Sequence, residues 1–323
     1  TWPPVVILFF GLTQTPAPQP ATAPGGADWP HYGRDLANTR FAPLEGVTRD
    51  SLQSLRVGWR WKSDNFSSPP EFRNESTPLM VDGTLYFTTG ASRWVVAADA
   101  RTGATKWTWR LDEGDRARSA PRRDSGRGVA YWTNGREARI FTVTPGFHLA
   151  ALDARTGLPV PSFGTRGIVD LKANLGVELD PMTAAIGNSS PPLVFENTVV
   201  VGPALEVGTR PPSMKNVPGR ILAFDTVTGE RRWRFNTIPV KGEPGYDTWL
   251  DGSAEYTGNV GAWAPLTLDE KRGYLYLPLE AATGDYYGGH RPGNNLYSST
   301  LACLDVRTGR LVWHFQTVHH DIW

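Results

Sequence analysis

One short pattern, repeated four times, constrains this chain more than any other feature of its sequence. Each copy has a small residue, an Asp two positions later, and a Thr-Gly pair after two further residues. The copies begin at Ala97, Ala151, Ala223 and Cys303, and in three of them a Trp stands four positions after the Gly. Because the copies lie far apart and at unequal intervals, the repeating unit is a module of several strands, not a short solenoid repeat.

The chemistry of the pattern indicates a tight turn between two strands. The Asp carboxylate can accept backbone N–H groups inside the turn, the Thr hydroxyl supports it, and the Gly can adopt positive φ. Apolar residues flank each copy, and the following Trp is placed to pack against the next module. We therefore predict an all-β fold, a β-propeller of four-stranded blades, with about four blades in this chain.

Composition agrees with this prediction and excludes some functions. The 34 Gly and 27 Pro suit short strands joined by turns, and no segment has a convincing helical period. The formal net charge of +1 gives no reason to expect nucleic acid or an acidic membrane as partner. A basic stretch at residues 116–127 is interpreted as a solvated loop over most of its length. Cys303 is the single cysteine, and it is expected to be a small buried residue.

The amino-terminal residues have the features of an export signal. An apolar run at residues 5–12 is too short to cross a bilayer, and a tract rich in Pro, Ala and Thr follows it. We expect residues 1–27 to be a signal and low-complexity segment and residues 28–323 to be a partial propeller domain. Export would place the protein in the periplasm or cell envelope.

Local signals mark several strands of the blades. Asp82-Gly83 and Asn134-Gly135 each lie between apolar stretches, which is the strongest short-range signal for a hairpin. Residues 55–61 alternate in polarity and are expected to form a strand that completes the last blade and closes the ring. Residues 262–267 are expected to be the first strand of the fourth blade.

Further motifs accompany the repeats. They are Asp28-Trp29, Arg127-Gly128-Val129-Ala130-Tyr131-Trp132, Ser190-Pro191-Pro192, Gly258-Asn259-Val260, Asp285-Tyr286-Tyr287-Gly288-Gly289-His290-Arg291 and His319-His320-Asp321-Ile322-Trp323. Together with the repeats, they resemble the quinoprotein dehydrogenases that bind pyrroloquinoline quinone, in particular the membrane-bound glucose dehydrogenase-like branch. The resemblance implies an eight-bladed propeller with the quinone on its axis, of which this chain would be about the first half.

The resemblance also implies which residues hold the quinone, a flat tricarboxylate that needs cations and an aromatic floor. Arg127 matches an Arg that binds a cofactor carboxylate, and Trp263 matches a Trp on which the quinone ring stacks. Glu75 matches a Glu that contacts the quinone, and Ser189 lies near a hydroxyl position that bonds it. Simpler roles remain open at this point: a surface Arg, a propeller-core Trp and a solvated strand-end carboxylate.

A metal ion is implied beside the quinone. Glu206 lies close to the family's metal-binding carboxylate, and calcium suits a carboxylate combined with neutral oxygens. The alcohol-oxidising branch supplies an Asn after the fourth blade's second strand, whereas this sequence has Glu280-Ala281, so the remaining metal ligands stay open. The adjacent Cys pair of the alcohol branch is also missing, which favours the sugar-oxidising side.

The general base implied by the resemblance is an Asp directly after the Trp of the His-His-Asp-x-Trp motif, and this sequence stops at Trp323. No residue of the chain is therefore named as the base, and the chain as given is expected to be inactive. Asp321 either orients this segment or caps a turn. His319 and His320 either line the site or satisfy hydrogen bonds at a strand end.

Two functions of different class follow from these observations. The first is a quinone-dependent dehydrogenase that oxidises the C–OH of an aldose or alcohol, with electrons leaving to a membrane quinone or a cytochrome. The second is a non-catalytic propeller that serves as a scaffold for protein interactions in the cell envelope. The repeats fit both functions, but a scaffold does not need Arg127, Trp263 and Glu75 on one axis.

Overall fold

Four four-stranded sheets, one after another along the chain, make up the fold. The computed structural model describes residues 28–44, 46–67, 71, 73–205 and 213–322. The expected signal segment, Glu206 and Trp323 lie outside these described residues. Every described sheet is an antiparallel meander in which consecutive strands pair. The predicted all-β fold with four-stranded blades is confirmed.

The strands divide among four blades as follows. Blade 1 contains β1 (Leu79–Val81), β2 (Thr84–Thr89), β3 (Trp94–Asp99) and β4 (Thr105–Trp109). Blade 2 contains β5 (Ala130–Thr133), β6 (Ala138–Val143), β7 (His148–Asp153) and β8 (Ile168–Asp170). Blade 3 contains β9 (Leu193–Phe195), β10 (Thr198–Val201), β11 (Ile221–Asp225) and β12 (Arg231–Phe235). Blade 4 contains β13 (Thr267–Asp269), β14 (Tyr274–Leu279), β15 (Thr300–Asp305) and β16 (Leu311–Gln316).

The repeat turns join the third and fourth strands and have the predicted geometry. In blade 1, Oδ1 of Asp99 accepts the main-chain N–H of Thr102 at 2.9 Å and its hydroxyl at 2.8 Å. The Asp residues of blades 2 and 4 accept the same two bonds, and that of blade 3 accepts the main-chain one. The four turn glycines have φ between 71° and 75°, a region that strongly favours glycine.

The Trp of the repeat docks blade 1 on blade 2 and blade 3 on blade 4. Nε1 of Trp107 donates to a main-chain oxygen of blade 2 at 3.0 Å, and its ring covers Gly157. Trp233 makes the same contact with blade 4, at 2.8 Å, and covers Gly309. Blade 2 has no Trp at this position, and the main-chain N–H of Gly164 donates to blade 3 at 2.8 Å instead. The repeat therefore forms the turn and the contact between blades at once.

Residues 55–61 reach blade 1 from its open side but form no strand. Nε1 of Trp59 donates to the main-chain oxygen of Ala100 at 3.1 Å, and the indole ring lies against Gly103. This is the contact that Trp107 makes with blade 2, so the segment occupies the place of an outer strand from a preceding blade. The expected strand is wrong for the described residues, because none of the four sheets offers this segment a ladder partner.

Apolar clusters between successive blades form the core. In β10, Val199 and Val201 belong to the cluster shared with blade 2, whereas Val200 belongs to the cluster shared with blade 4. This follows from the two-residue period of a strand, and it explains why the inner strands are continuous apolar runs. At the outer strand of blade 4 the pattern ends, and Trp313 is 39% exposed.

Two predicted strand boundaries have different outcomes. The Asp82-Gly83 hairpin is confirmed, since Val81 pairs with Thr84 across a two-residue turn. Both turn residues have positive φ, as this hairpin type requires. The strand expected at residues 262–267 is wrong except for its last residue, because β13 begins at Thr267. A proline at position 265 cannot donate to a sheet ladder.

Helices contribute little to the described part of the chain. Its two α-helices have four residues each, α1 (Asp115–Arg118) and α2 (Leu171–Asn174). Within the same residues, no helix is both long enough and apolar enough to cross a membrane. Cys303 is fully buried with a free thiol, as expected.

Candidate functional site

Four of the predicted site residues occupy equivalent positions in four different blades. Glu75, Arg127, Ser189 and Trp263 each lie three or four residues before the first strand of their blade. The segments that precede these first strands contact one another, which brings the residues at this position together. Short segments of four blades thus build one cluster of side chains.

Arg127 lies at the centre of this cluster. Its Nη2 lies 3.3 Å from Oε2 of Glu75, and its Cζ lies 5.2 Å from the ring centroid of Trp263. The side chain of Arg127 is 18% exposed and that of Glu75 is 39% exposed, so solvent weakens their attraction. Trp263 is itself 39% exposed. Its exposure is not that of a propeller-core Trp, and Arg127 is not an isolated surface cation.

Ser189 connects the segments that carry these side chains. Its main-chain oxygen accepts the N–H of Arg127 at 2.9 Å, and its hydroxyl donates to the main-chain oxygen of Trp263 at 3.2 Å. The hydroxyl of Ser190 also donates to that oxygen. Blades 2, 3 and 4 are therefore linked directly below the cluster, which fixes the relative positions of Arg127 and Trp263.

A second arginine, Arg122, joins the cluster and had not been predicted. Its Nε donates to the main-chain oxygen of Leu205 at 2.9 Å. Its side chain also packs on Gly187, where a Cβ would lie 3.2 Å from it. Burial lowers the pKa of Arg122, and the nearby carboxyl of Glu280 opposes that shift. Because Leu205 directly precedes Glu206, Arg122 connects the cluster to the segment that carries the predicted metal ligand.

Glu280 is the second residue that sequence reasoning had not placed in the site. Its Oε1 is buried without a hydrogen-bond partner among the described residues. Burial raises the pKa of Glu280 to about 8, against the opposing effects of Arg122 and the side chain of Asn259. Burial therefore favours the protonated form of this carboxyl as long as no cation is bound to it. Among the described residues of the cluster, two guanidinium groups then face one carboxylate, that of Glu75, so the site favours an anion.

The basic stretch at residues 116–127 is more buried than expected. Arg116 is 8% exposed and binds both carboxylate oxygens of Asp170, at 2.8 and 2.7 Å. Arg122 and Arg127 are half-buried, and only Arg118 and Arg123 are exposed. The solvated-loop interpretation is therefore wrong for most of the stretch, since Arg116, Arg122 and Arg127 pair with groups from distant parts of the chain.

The motif near the carboxyl end is fixed by hydrogen bonds. Asp321 is 8% exposed, and its carboxylate accepts the hydroxyl of Ser298 at 2.9 Å and that of Ser299. The ring nitrogen Nδ1 of His320 lies 2.8 Å from the main-chain oxygen of Gly293, whereas His319 is exposed. Asp321 therefore anchors this segment to the start of β15, which is more than the cap of a local turn.

These features define a class of protein, a β-propeller with two arginines and a partly exposed tryptophan clustered where its blades begin. Residues 29–323 match the family model described as "PQQ: Glucose/ethanol/alcohol dehydrogenase, beta-propeller domain". The chain therefore belongs to the pyrroloquinoline quinone (PQQ)-dependent dehydrogenase family, as the motifs predicted.

Relatives of known function agree with this assignment. The chain is 31% identical over 336 residues to the quinoprotein glucose dehydrogenase of Escherichia coli (strain K12), covering 97% of this chain and 40% of that protein. It is 30% identical over 321 residues to the glycerol dehydrogenase large subunit of Gluconobacter oxydans (strain 621H), covering 95% and 41% respectively. The quinohemoprotein alcohol dehydrogenase from Comamonas testosteroni superposes with a TM-score of 0.73 at 27% identity, over 94% of this chain and 43% of that one. The chain thus spans about two fifths of the length of these relatives.

Proposed function

We propose that the full-length protein oxidises the C–OH group of an aldose or an alcohol with PQQ as its resident cofactor. The observation that carries this proposal is the cluster in which Arg127 contacts both Glu75 and the exposed ring of Trp263. Membership of the dehydrogenase family supports an oxidoreductase. Relatives described as glucose and glycerol dehydrogenases support a small polyol or sugar substrate.

The residues of the cluster fit a flat tricarboxylate. Trp263 offers an aromatic surface, and Arg127 and Arg122 offer guanidinium groups for carboxylates. Glu75 orients Arg127, and Ser189 holds the main chain on which Arg127 and Trp263 are mounted. When bound, PQQ supplies an electrophilic carbonyl that accepts a hydride. The chain's own contribution is to bind and orient the cofactor.

A divalent cation, calcium in the first place, is proposed beside the cofactor, with Glu206 as one ligand. The residues that the structure describes contain no group of three or more His, Cys, Asp or Glu side chains suited to a metal ion. They do offer the unpartnered Oε1 of Glu280, which lies near the same arginine, Arg122, that contacts Leu205. Glu206 and Glu280 are therefore the carboxylates that we assign to the cation, since calcium prefers oxygen ligands.

Proton removal from the substrate hydroxyl is assigned to an Asp expected directly after Trp323. Asp321, two residues before Trp323, anchors this part of the chain to Ser298 and Ser299. A membrane quinone or a cytochrome is proposed as electron acceptor, and the periplasm or cell envelope as location.

A non-catalytic scaffold is the less favoured alternative. A scaffold requires the contacts between blades but no partly exposed arginine–tryptophan pair in front of the first strands. The two functions are separated by loading the full-length protein with PQQ and calcium and following dye reduction with glucose, glycerol and other alcohols. We expect PQQ-dependent reduction with at least one substrate, and its absence with every substrate would favour the scaffold.

A further inference from the structure

One buried arginine outside the cluster controls the loop on which both site arginines are mounted. Arg93 lies in the turn between β2 and β3 of blade 1 and is 5% exposed. It adopts a positive φ of 49°, which is uncommon for a residue other than glycine. Burial lowers the pKa of Arg93 to about 10, and the carboxylates of Glu113, Asp124 and Glu71 oppose that shift.

All four hydrogen bonds that the guanidinium of Arg93 donates go to main-chain oxygens. Its Nη2 donates to the oxygens of Arg122 at 3.2 Å and Arg123 at 2.8 Å, and its Nε donates to that of Asp124 at 3.1 Å. Its Nη1 donates to the end of β6, at Val143, at 3.0 Å. Three consecutive carbonyl groups of one loop thus converge on one planar group, and only an arginine has donors in this fixed fork.

The loop held in this way, residues 122–127, is here called the arginine loop. It also packs on Arg93 through Gly126, where an added Cβ would lie 3.0 Å from the guanidinium carbon. A second anchor is Glu71, whose carboxylate accepts the N–H of Ser125 at 2.7 Å and the N–H of Gly90 at 2.8 Å. The turn between β2 and β3 is therefore the common support of the loop.

We propose that Arg93 is a positioning residue, which holds the arginine loop so that Arg122 and Arg127 are pre-arranged for the anionic cofactor. This inference rests on the proposed function, because it takes PQQ as the ligand. Pre-arranged cations bind an anion more tightly than mobile ones, since the cost of ordering them is already met in the free protein. Arg93 itself does not need to touch the ligand for this effect.

The test is a mutant cycle in the full-length protein with PQQ as the probe. Arg93→Lys keeps the charge but loses the planar fork, and we expect it to weaken PQQ binding on the order of tenfold. In a background that carries Arg122→Ala and Arg127→Ala, the same change should weaken binding less than about twofold, because residues that act through one another are not additive. Equal weakening in both backgrounds would overturn the proposal.

A matched control separates positioning from loss of stability. Arg139 is also a buried arginine, at the opposite end of β6, and donates to the main-chain oxygens of Thr226 and Val227 at 2.8 Å each. Arg139→Lys should lower stability without changing the affinity for PQQ. If Arg93→Lys prevents folding, Glu71→Gln loosens the same loop from its other anchor and should give the same pattern of affinities.

Hydrogen exchange gives a readout that does not depend on PQQ. In the cofactor-free protein, the amides of the arginine loop should exchange faster in Arg93→Lys than in the wild type. In Arg139→Lys, their exchange rates should equal those of the wild type. Unchanged protection of the loop in Arg93→Lys would overturn the proposal. If the wild type does not bind PQQ, the proposed function fails, whereas the exchange result still decides whether Arg93 holds the loop.

Discussion

The contact between Trp107 and Gly157 allows the account of how the blades are joined to be tested with one methyl group. Gly157 has φ +73°, and a Cβ there would lie 2.5 Å from two carbons of the Trp107 ring. Gly157→Ala therefore meets two costs, the positive φ, at about 1–2 kcal/mol, and overpacking, at about 1–3 kcal/mol. We expect the free energy of unfolding to fall by about 2–5 kcal/mol.

Comparison with a second glycine of the same blade isolates the cost of overpacking. Gly135 has φ +83°, but an added Cβ would have no atom within 4 Å. Gly135→Ala should thus lose only the backbone contribution, about 1–2 kcal/mol. The assay is urea unfolding of the two variants and the wild type, compared at equal m-values. Equal losses for both variants would refute the close packing of Trp107 on Gly157. The packing would also be refuted if Gly157→Ala still lost more free energy of unfolding than Gly135→Ala, by the same amount, after Trp107→Leu.

Two further predictions concern His31 and Glu280. Burial lowers the pKa of His31 to about 4; as the pH falls below its ordinary value of about 6.5, the unfolded chain binds a proton that the folded protein does not. His31 therefore lowers the free energy of unfolding on acidification by up to about 1.4 kcal/mol per pH unit. A stability difference between the wild type and His31→Gln that stays constant from pH 7 to pH 4 would contradict this. Glu280→Gln should weaken calcium binding by the full-length protein on the order of tenfold or more. The affinity would be measured by titration calorimetry, with Glu270→Gln as the control variant. An unchanged affinity for calcium in Glu280→Gln would remove Glu280 from the metal site.

The repeat made the blades predictable because each of its residues has a local task. Asp99 and its counterparts bind the turn's own N–H groups, and the turn glycines have the positive φ that their position requires. Trp107 and Trp233 act on the next copy of the same pattern, so their contacts were also predictable. The strand expected at residues 55–61 failed because a strand depends on its neighbours, although Trp59 makes the contact that the pattern implies.

The candidate site was predicted only at the residues that motifs name. Glu75, Arg127, Ser189 and Trp263 were chosen by resemblance, and the structure brings them together. Arg122, Arg93 and Glu280 were missed for a physical reason. The proposed roles of Arg93 and Arg122 depend on which carbonyl groups distant loops present to them. The proposed role of Glu280 depends on its burial. Neither the position of distant carbonyl groups nor the burial of a side chain can be read from local sequence.

The central claim is that this cluster binds an anionic quinone. Its most direct test is titration of the cofactor-free, full-length protein with PQQ, following the fluorescence of tryptophan, in the wild type and in Arg127→Ala. We expect saturable binding by the wild type and a loss of about 2–5 kcal/mol in Arg127→Ala, as for one partner of the charge pair that Arg127 would form with a carboxylate of the bound cofactor. Arg118→Ala, which removes an exposed arginine of the same basic stretch, should bind like the wild type. Equal affinities of wild type and Arg127→Ala would contradict the account.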